Sequence, residues 1–403
     1  MPVKLAFLAN ARLPTEKAHG HAIVKTCEAF AALGAEVELW HPRRHQPDRE
    51  LRAGRGQDIL RFYGVDPGAF RVRTLRNADV VRLEGLPIRS AYSLLFVLHE
   101  LVWGLRVAVR ARRSQVDVCM TREASVAWCV AVLGGRVVLD VHVVPAGARR
   151  ILLRRLVRRP AAQVQLVALT SGNRDGLVTL GADPDRVLVL GSAVDVRAFT
   201  DLPPQEECRK ALGLPLDRPI VGYVGRFETF GEDKGIPQLV RATAAFAGSP
   251  TWAGGRPYLV CVGGPMGPVA RYRRLAAEVG LGVGDVRFVD HVPAAEVPRW
   301  IRSLDVGVAL YPDTPYGREF TSPLKVLEYQ AAGVPIVASD LPAIREAVGG
   351  AVAAFVGSDD EHDVARALER LAAAPAAEPV TPLTWEGRAR AVLRALGAPA
   401  DAR

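Results

Sequence analysis

A chain of 403 residues with 49% hydrophobic and 24% charged residues can bury substantial cores, which excludes general disorder and predicts two domains or one enlarged one. The formal charge of +9 comes with no zinc-finger spacing, basic heptad array or aromatic RNP-like motif, so no nucleic-acid partner is expected. Cys27, Cys119, Cys129, Cys208 and Cys261 are scattered without a CxxC or a companion His cluster, which predicts free thiols in a reducing compartment and no metal site.

The opening segment VKLAFLA (3–9) reads as a strand and lacks the basic start, long apolar core and cleavage site of a signal peptide, so a cytoplasmic location is expected. A loop with His19, Gly20 and His21 then leads to a helix whose buried stripe is Ile23, Cys27 and Phe30 and which Gly34 ends. Further strands are predicted at 36–40 (EVELW), 116–120 (VDVCM), 136–142 (RVVLDVH) and 166–170 (LVALT). The apolar run from Leu94 to Val109 is interrupted by His99, Glu100 and Arg106, and so predicts an amphipathic helix rather than a membrane span. Arginine pairs in GARRILLRRLVRRPAA (147–162) follow a helical spacing. They form either a solvated surface or a face for peripheral docking on anionic lipid at the inner side of a membrane.

A Pro-containing polar stretch within AVDVRAFTDLPPQEECRKALGLP places a domain boundary near residue 200. The second series of strands is PIVGYVG (219–225), YLVCVGG (258–264), VRFVD (286–290), VGVALY (306–311) and PIVAS (335–339). Strands alternating with helical patterns predict an α/β chain of two Rossmann-like doubly wound parallel-sheet domains, 1–200 and 201–380, facing a central cleft where ligands bind. A C-terminal helical segment, 381–403, is expected to cross back to the first domain.

The most specific segment is SPLKVLEYQAAGVPIVASDLP (322–342). Ser322 is expected to cap a helix with Pro323 at its first position, and Gly333 to stop it before a strand. A helix N-terminus presents free N–H groups and a positive dipole end, which suits a diphosphate. Lys325 and Glu328 share one face of that helix. In VGYVGRFETFGEDKG (221–235), Arg226 closes a strand and Lys234 precedes a helix, so two cations stand at a sheet's carboxyl edge.

These segments resemble glycosyltransferase family 4, whose members have the GT-B fold and a Glu-x7-Glu motif. The resemblance implies that Glu328 is the motif's second Glu, on the donor ribose, with Thr321, Ser322, Leu324 and Lys325 near the donor. The first-Glu position is Phe320, with Glu319 displaced by one; Glu319 in a looser loop, or backbone groups, would take that part. Arg226 and Lys234 match the family's GR and KG, with FETFGED between them, and would neutralise the leaving diphosphate. The turn at Gly263 and Gly264 would lie near the nucleotide, and the backbone at Phe288 near the base. Gly20 matches a glycine loop close to the donor phosphate. TREASVAW (121–128) and VLDVHVVP (138–145) match an Arg-Glu segment and a strand ending in His, which puts His142 against the transferred sugar or the acceptor.

The implied activity is retaining transfer of a hexose from a nucleoside diphosphate sugar, UDP-linked in preference to GDP-linked, to an acceptor hydroxyl of a glycan, lipid-linked sugar or small metabolite. No cofactor and no obligatory metal are expected. An epimerase of the same fold, and an impaired GT-B protein that binds a nucleotide sugar or a partner, stay open as alternatives.

Overall fold

The computed structural model describes residues 2–15, 18–45, 56–77, 89–229, 232–249, 255–349, 353–357, 360–373 and 381–398. The chain forms two compact units, residues 1–191 with 385–403, and residues 192–384.

In the first unit seven strands lie in the order β3-β2-β1-β4-β5-β6-β7. They are β1 (Lys4–Leu8), β2 (Glu36–Pro42), β3 (Arg71–Leu75), β4 (Val118–Thr121), β5 (Val137–Val141), β6 (Val164–Ala168) and β7 (Val187–Val189), and every neighbouring pair is parallel. The inner strands β4, β5 and β6 are buried throughout because helices cover both faces, and they are mostly apolar, with Thr121, Asp140 and Gln165 as buried polar exceptions. The helices are α1 (Ala18–Ala32), α2 (Gly56–Phe62), α3 (Arg89–Arg113), α4 (Ala124–Val132), α5 (Gly147–Leu156) and α6 (Ser171–Thr179).

Helix α3 overturns the simple amphipathic expectation. His99 and Glu100 face inward, 6% and 5% exposed, whereas Leu98, Val102 and Leu105 stand outward at 51%, 56% and 52%. The reason is electrostatic: Glu100 accepts hydrogen bonds from Ser125 Oγ (3.1 Å) and Arg149 Nε (2.7 Å), so its carboxylate is drawn in by a partner on α5. Among the described residues no helix is long and apolar enough to cross a membrane. The Arg-rich stretch forms α5 and the turn after it. Leu153 and Leu156 anchor it in the core, and Arg155 and Arg159 lie over Trp128.

The second unit has six parallel strands in the order β12-β11-β8-β13-β14-β15. These are β8 (Ile220–Val224), β11 (Tyr258–Val262), β12 (Val286–Val289), β13 (Val306–Ala309), β14 (Ile336–Ser339) and β15 (Ala353–Val356), with β9 (Glu228–Thr229) and β10 (Glu232–Asp233) forming a separate antiparallel ribbon. Its helices are α7 (Gln205–Leu212), α8 (Ile236–Ala247), α9 (Val269–Glu278), α10 (Val297–Arg302), α11 (Pro315–Glu319), α12 (Leu324–Ala331), α13 (Pro342–Val348) and α14 (Glu361–Ala372). Residues 374–380 of the Ala- and Pro-rich tail lie outside the described residues. The last helix, α15 (Trp385–Ala395), belongs to the first unit and packs on α1.

Both sheets share one logic. Chain order reverses beside the first strand of each, between β1 and β4 and between β8 and β13, and such reversals open a crevice at the carboxyl ends. In the second unit β8 and β13 pair at only two positions, Val221 with Val306 and Gly222 with Gly307. Beyond them the strands diverge, and the Val224 N–H donates instead to the Tyr329 hydroxyl (3.0 Å), so α12 is pinned into the gap.

Candidate nucleotide-sugar site and the histidine cluster

The local geometry corrects the expected helix start. α12 begins at Leu324, with Pro323 in the cap position and no side-chain cap. Ser322 is not the cap: its Oγ accepts from the Ser192 N–H (2.9 Å) and its carbonyl accepts from Ser192 Oγ (2.9 Å), which ties the loop before α12 to the start of the unit. In the first turn the Val326 N–H donates to the Pro323 carbonyl (3.2 Å), and no side chain caps the N–H groups of Leu324 and Lys325. Thr321 is buried and its hydroxyl donates to the Tyr316 carbonyl (3.2 Å). Leu324 is half-buried.

Lys325 is the centre of this site. Its Nζ is buried without a hydrogen-bond acceptor, 3.8 Å from the centre of the Tyr223 ring and 4.8 Å from that of Tyr311. Lys234 Nζ approaches the same Tyr311 ring at 6.0 Å. Ring faces attract an ammonium but do not replace a counter-ion. Burial, and then Lys234, hold the Lys325 ammonium well below the usual lysine range, and burial also lowers Lys234. Glu328, one turn along α12, is pushed up to about 7 by burial, against the pull of Lys325. Among the described residues the Glu328 carboxyl is the one carboxyl group that acts on Lys325, beside Lys234 and the two rings.

Tyr311 is held by Ser339, whose Oγ accepts from the Tyr311 N–H (2.8 Å) and donates to its carbonyl (3.0 Å). The Tyr223 hydroxyl donates to the Arg226 carbonyl (2.7 Å), fixing the turn after β8, and the Arg226 side chain is exposed. The long gap between Arg226 and Lys234 is taken up by the β9–β10 ribbon, which returns the Lys234 N–H to the Phe227 carbonyl (2.8 Å). Gly235 follows with φ 78°, and a Cβ there would stand 2.7 Å from that of Leu310.

Gly263 has φ 131°, and a Cβ on it would meet the Gly225 carbonyl at 2.5 Å; one on Gly264 would meet the Asp290 carboxylate at the same distance. Glycine is required here so that two strand-end turns can touch. Phe288 turns its ring into the core against Tyr272 and Phe227, so only its backbone stays available. Glu319 ends α11 with an exposed side chain, and Phe320 caps that helix with its ring edge-on to Tyr316.

In the first unit Gly20 is not in a loop but in the first turn of α1, where the Tyr63 hydroxyl and Thr15 Cγ2 occupy the space a Cβ would need. That hydroxyl accepts from the Thr15 N–H and donates to the Thr15 carbonyl, both at 2.8 Å. His21 lies 6.3 Å from the Tyr63 ring and 6.4 Å from that of Trp385, and the His19 carbonyl faces Arg122 Nη1 at 3.4 Å.

His142 follows β5, and its Nε2 lies 3.1 Å from Asp140 Oδ2. Asp140 is wholly buried and also meets Arg388 Nη2 at 2.6 Å and Arg122 Nε at 3.4 Å. Despite its burial the carboxyl stays well below its ordinary range, held there by Arg388 and then His142. Burial, and then Arg122, lower the His142 imidazole, against the pull of Asp140. Tyr223, Tyr311, Asp140 and Arg388 were not expected as site residues. Arg388 had a legible signal, an arginine on the buried stripe Trp385, Ala389 and Val392 of an otherwise amphipathic helix.

Residues 218–374 match the family model described as Glycosyl transferases group 1. The chain is 35% identical over 250 residues to a D-inositol 3-phosphate glycosyltransferase of Stackebrandtia nassauensis, covering 58% of this chain and 53% of that protein. It is 33% identical over 188 residues to one of Kineococcus radiotolerans, covering 46% and 41%. The chain thus spans about half the length of the curated relatives it matches. Similar solved structures include Anabaena HepE in complex with UDP and glucose, with TM-score 0.65 and 14% identity over 98% of this chain and 99% of that one. An Escherichia coli trehalose-6-phosphate protein bound with UDP-2-fluoro glucose gives TM-score 0.63 and 14% identity, over 97% and 95%.

Two doubly wound parallel-sheet units with these neighbours define a GT-B protein. The match to the group 1 glycosyltransferase model, at 218–374, falls within the second unit, and the relatives that this chain is similar to are glycosyltransferases.

Proposed function

We propose that this protein transfers a hexose, with retention, from a nucleoside diphosphate sugar to an acceptor hydroxyl. The observation that carries this reading is the Lys325 ammonium, buried without an acceptor between Tyr223 and Tyr311 at the start of α12. A diphosphate is the ligand that such a site lacks. Lys325, Lys234, Arg226 and the α12 N-terminus would take up the charge that develops on the departing diphosphate, as preorganised cations and N–H groups do. Divalent metal is then not required. Glu328 would accept from the ribose hydroxyls, the backbone of Gly263, Gly264 and Phe288 would border the nucleotide, and His142 would meet the transferred sugar or the acceptor. UDP is the favoured nucleotide because similar structures hold UDP and UDP-sugars. D-inositol 3-phosphate, named in the relatives, is the first acceptor to try.

The test is a nucleotide-release screen of UDP- and GDP-sugars with EDTA present, comparing wild type with Arg226→Ala and Glu328→Ala. Release that needs acceptor, survives EDTA and drops in both variants is expected. Equal turnover and donor affinity in the variants would remove the proposed site. Donor binding without release across acceptors would favour an impaired GT-B protein, and conversion of the donor without acceptor an epimerase.

A further inference from the structure

Among the described residues of the first unit Asp140 is a fully buried carboxylate, and the shortest of its ionic contacts comes from a helix 248 residues further along the chain. Arg388 is 3% exposed. Its Nε donates to the Gly191 carbonyl (3.2 Å) and its Nη2 to Asp140 Oδ1 (2.6 Å), leaving Oδ2 for His142 and Arg122. α15 aims this guanidinium from a packed position, since Trp385, Ala389, Val392 and Leu393 on the same helix are all buried.

An ionised carboxylate only accepts hydrogen bonds, so the His142 nitrogen facing Asp140 is the donor. A ring proton therefore resides on Nε2, and in the neutral ring Nδ1 is the acceptor. We propose that Arg388 is a positioning residue for His142. Acting through Asp140, it holds the imidazole oriented, with Nε2–H on the carboxylate and Nδ1 turned to a hydroxyl. The role of that hydroxyl rests on the reading of His142 as a group that meets the transferred sugar or acceptor; the coupling of Arg388 to the ring does not.

The charged groups around the ring are Arg122 after β4, Asp140 on β5 and Arg388 on α15, while the Asn173 amide from α6 donates to the His142 carbonyl (3.2 Å). Two cations share one carboxylate. Without Arg388, more of the Asp140 charge falls on the imidazole, which then protonates more readily. Arg388→Met should therefore raise the pH at which His142 titrates and loosen its tautomer preference, and Arg388→Lys should restore part of both.

The experiment uses the full chain labelled with ¹⁵N at its eight histidines, with His142→Gln to assign the ring, and follows ring nitrogen shifts against pH. Wild type should show a ring protonated on Nε2. Arg388→Met should move the titration up by about one pH unit, a tenfold change in proton affinity. It should also lower kcat about tenfold or more with donor KM within about twofold. A wild-type ring that is protonated on Nδ1 and not on Nε2 overturns the proposal, and this reading needs no Arg388 variant to fold. So does a folded Arg388→Met whose His142 titration is unmoved, even if its activity falls, because a purely structural arginine would behave that way. Unchanged kcat in His142→Gln would instead overturn the reading of His142 in transfer, while the nitrogen shifts still report on Arg388.

Discussion

The carboxyl edges of the two sheets handle buried charge in opposite ways. Beside β4 and β5, Asp140 meets two guanidiniums and an imidazole, so both buried arginines share a counter-charge within the fold. Beside β8 and β13, Lys325 and Lys234 meet ring faces, and the Lys325 ammonium has no acceptor. A paired network can position a side chain with little dependence on ligand. An unpaired buried cation costs stability until an anion arrives, and that cost is returned as affinity.

The comparison can be broken most directly at Asp140. Replacing it by Asn leaves Arg122 and Arg388 buried without their counter-charge, and we predict a loss of about 3–5 kcal/mol in urea unfolding. A loss below about 1 kcal/mol would mean that the network is not a paired one. In the second unit, Lys325→Met keeps most of the volume and removes the charge. We predict UDP affinity about 10–100-fold weaker by calorimetry, matching about 1.5–3 kcal/mol for a charged hydrogen bond, with the ligand-free protein no less stable. Unchanged UDP affinity would end the argument from a missing acceptor.

Glu328 sharpens the contrast through pH. Its carboxyl lies near 7 in the fold against an ordinary 4.5, so its ionisation opposes folding. That cost is absent below the unfolded value, grows between the two, and is complete above the folded one. Glu328→Gln should then stabilise the ligand-free protein at pH 8 by on the order of 1–3 kcal/mol, and hardly at all at pH 4, in thermal melts at the two pH values. Equal effects at both would show that the shift is not the cause. The smallest effect is proton linkage. Lys325 is lowered in the free protein and an arriving diphosphate restores its ammonium, so UDP binding at pH 8 should take up a fraction of one proton and weaken as pH rises. Calorimetry in two buffers of different ionisation enthalpy reads this directly, and identical heats would contradict it.

The sequence by itself determined the alternation of strands and helices, the segment that becomes α12, and the candidacy of Arg226, Lys234, Lys325 and Glu328. Those features depend on local periodicity, on Gly and Pro at turns, and on short motifs, all of which are contiguous in the chain. Tertiary structure decided what those residues meet. The ribbon between Arg226 and Lys234 closes a gap whose length alone said nothing of where it ends. The inward turn of Glu100 depended on Arg149, 49 residues away. The rings of Tyr223 and Tyr311 become a cradle for Lys325 only because β8 and β13 are neighbours in the sheet. Arg388 reaches Asp140 only because α15 packs in the first unit, and pairing over 248 residues leaves no periodic trace for a linear reading to find.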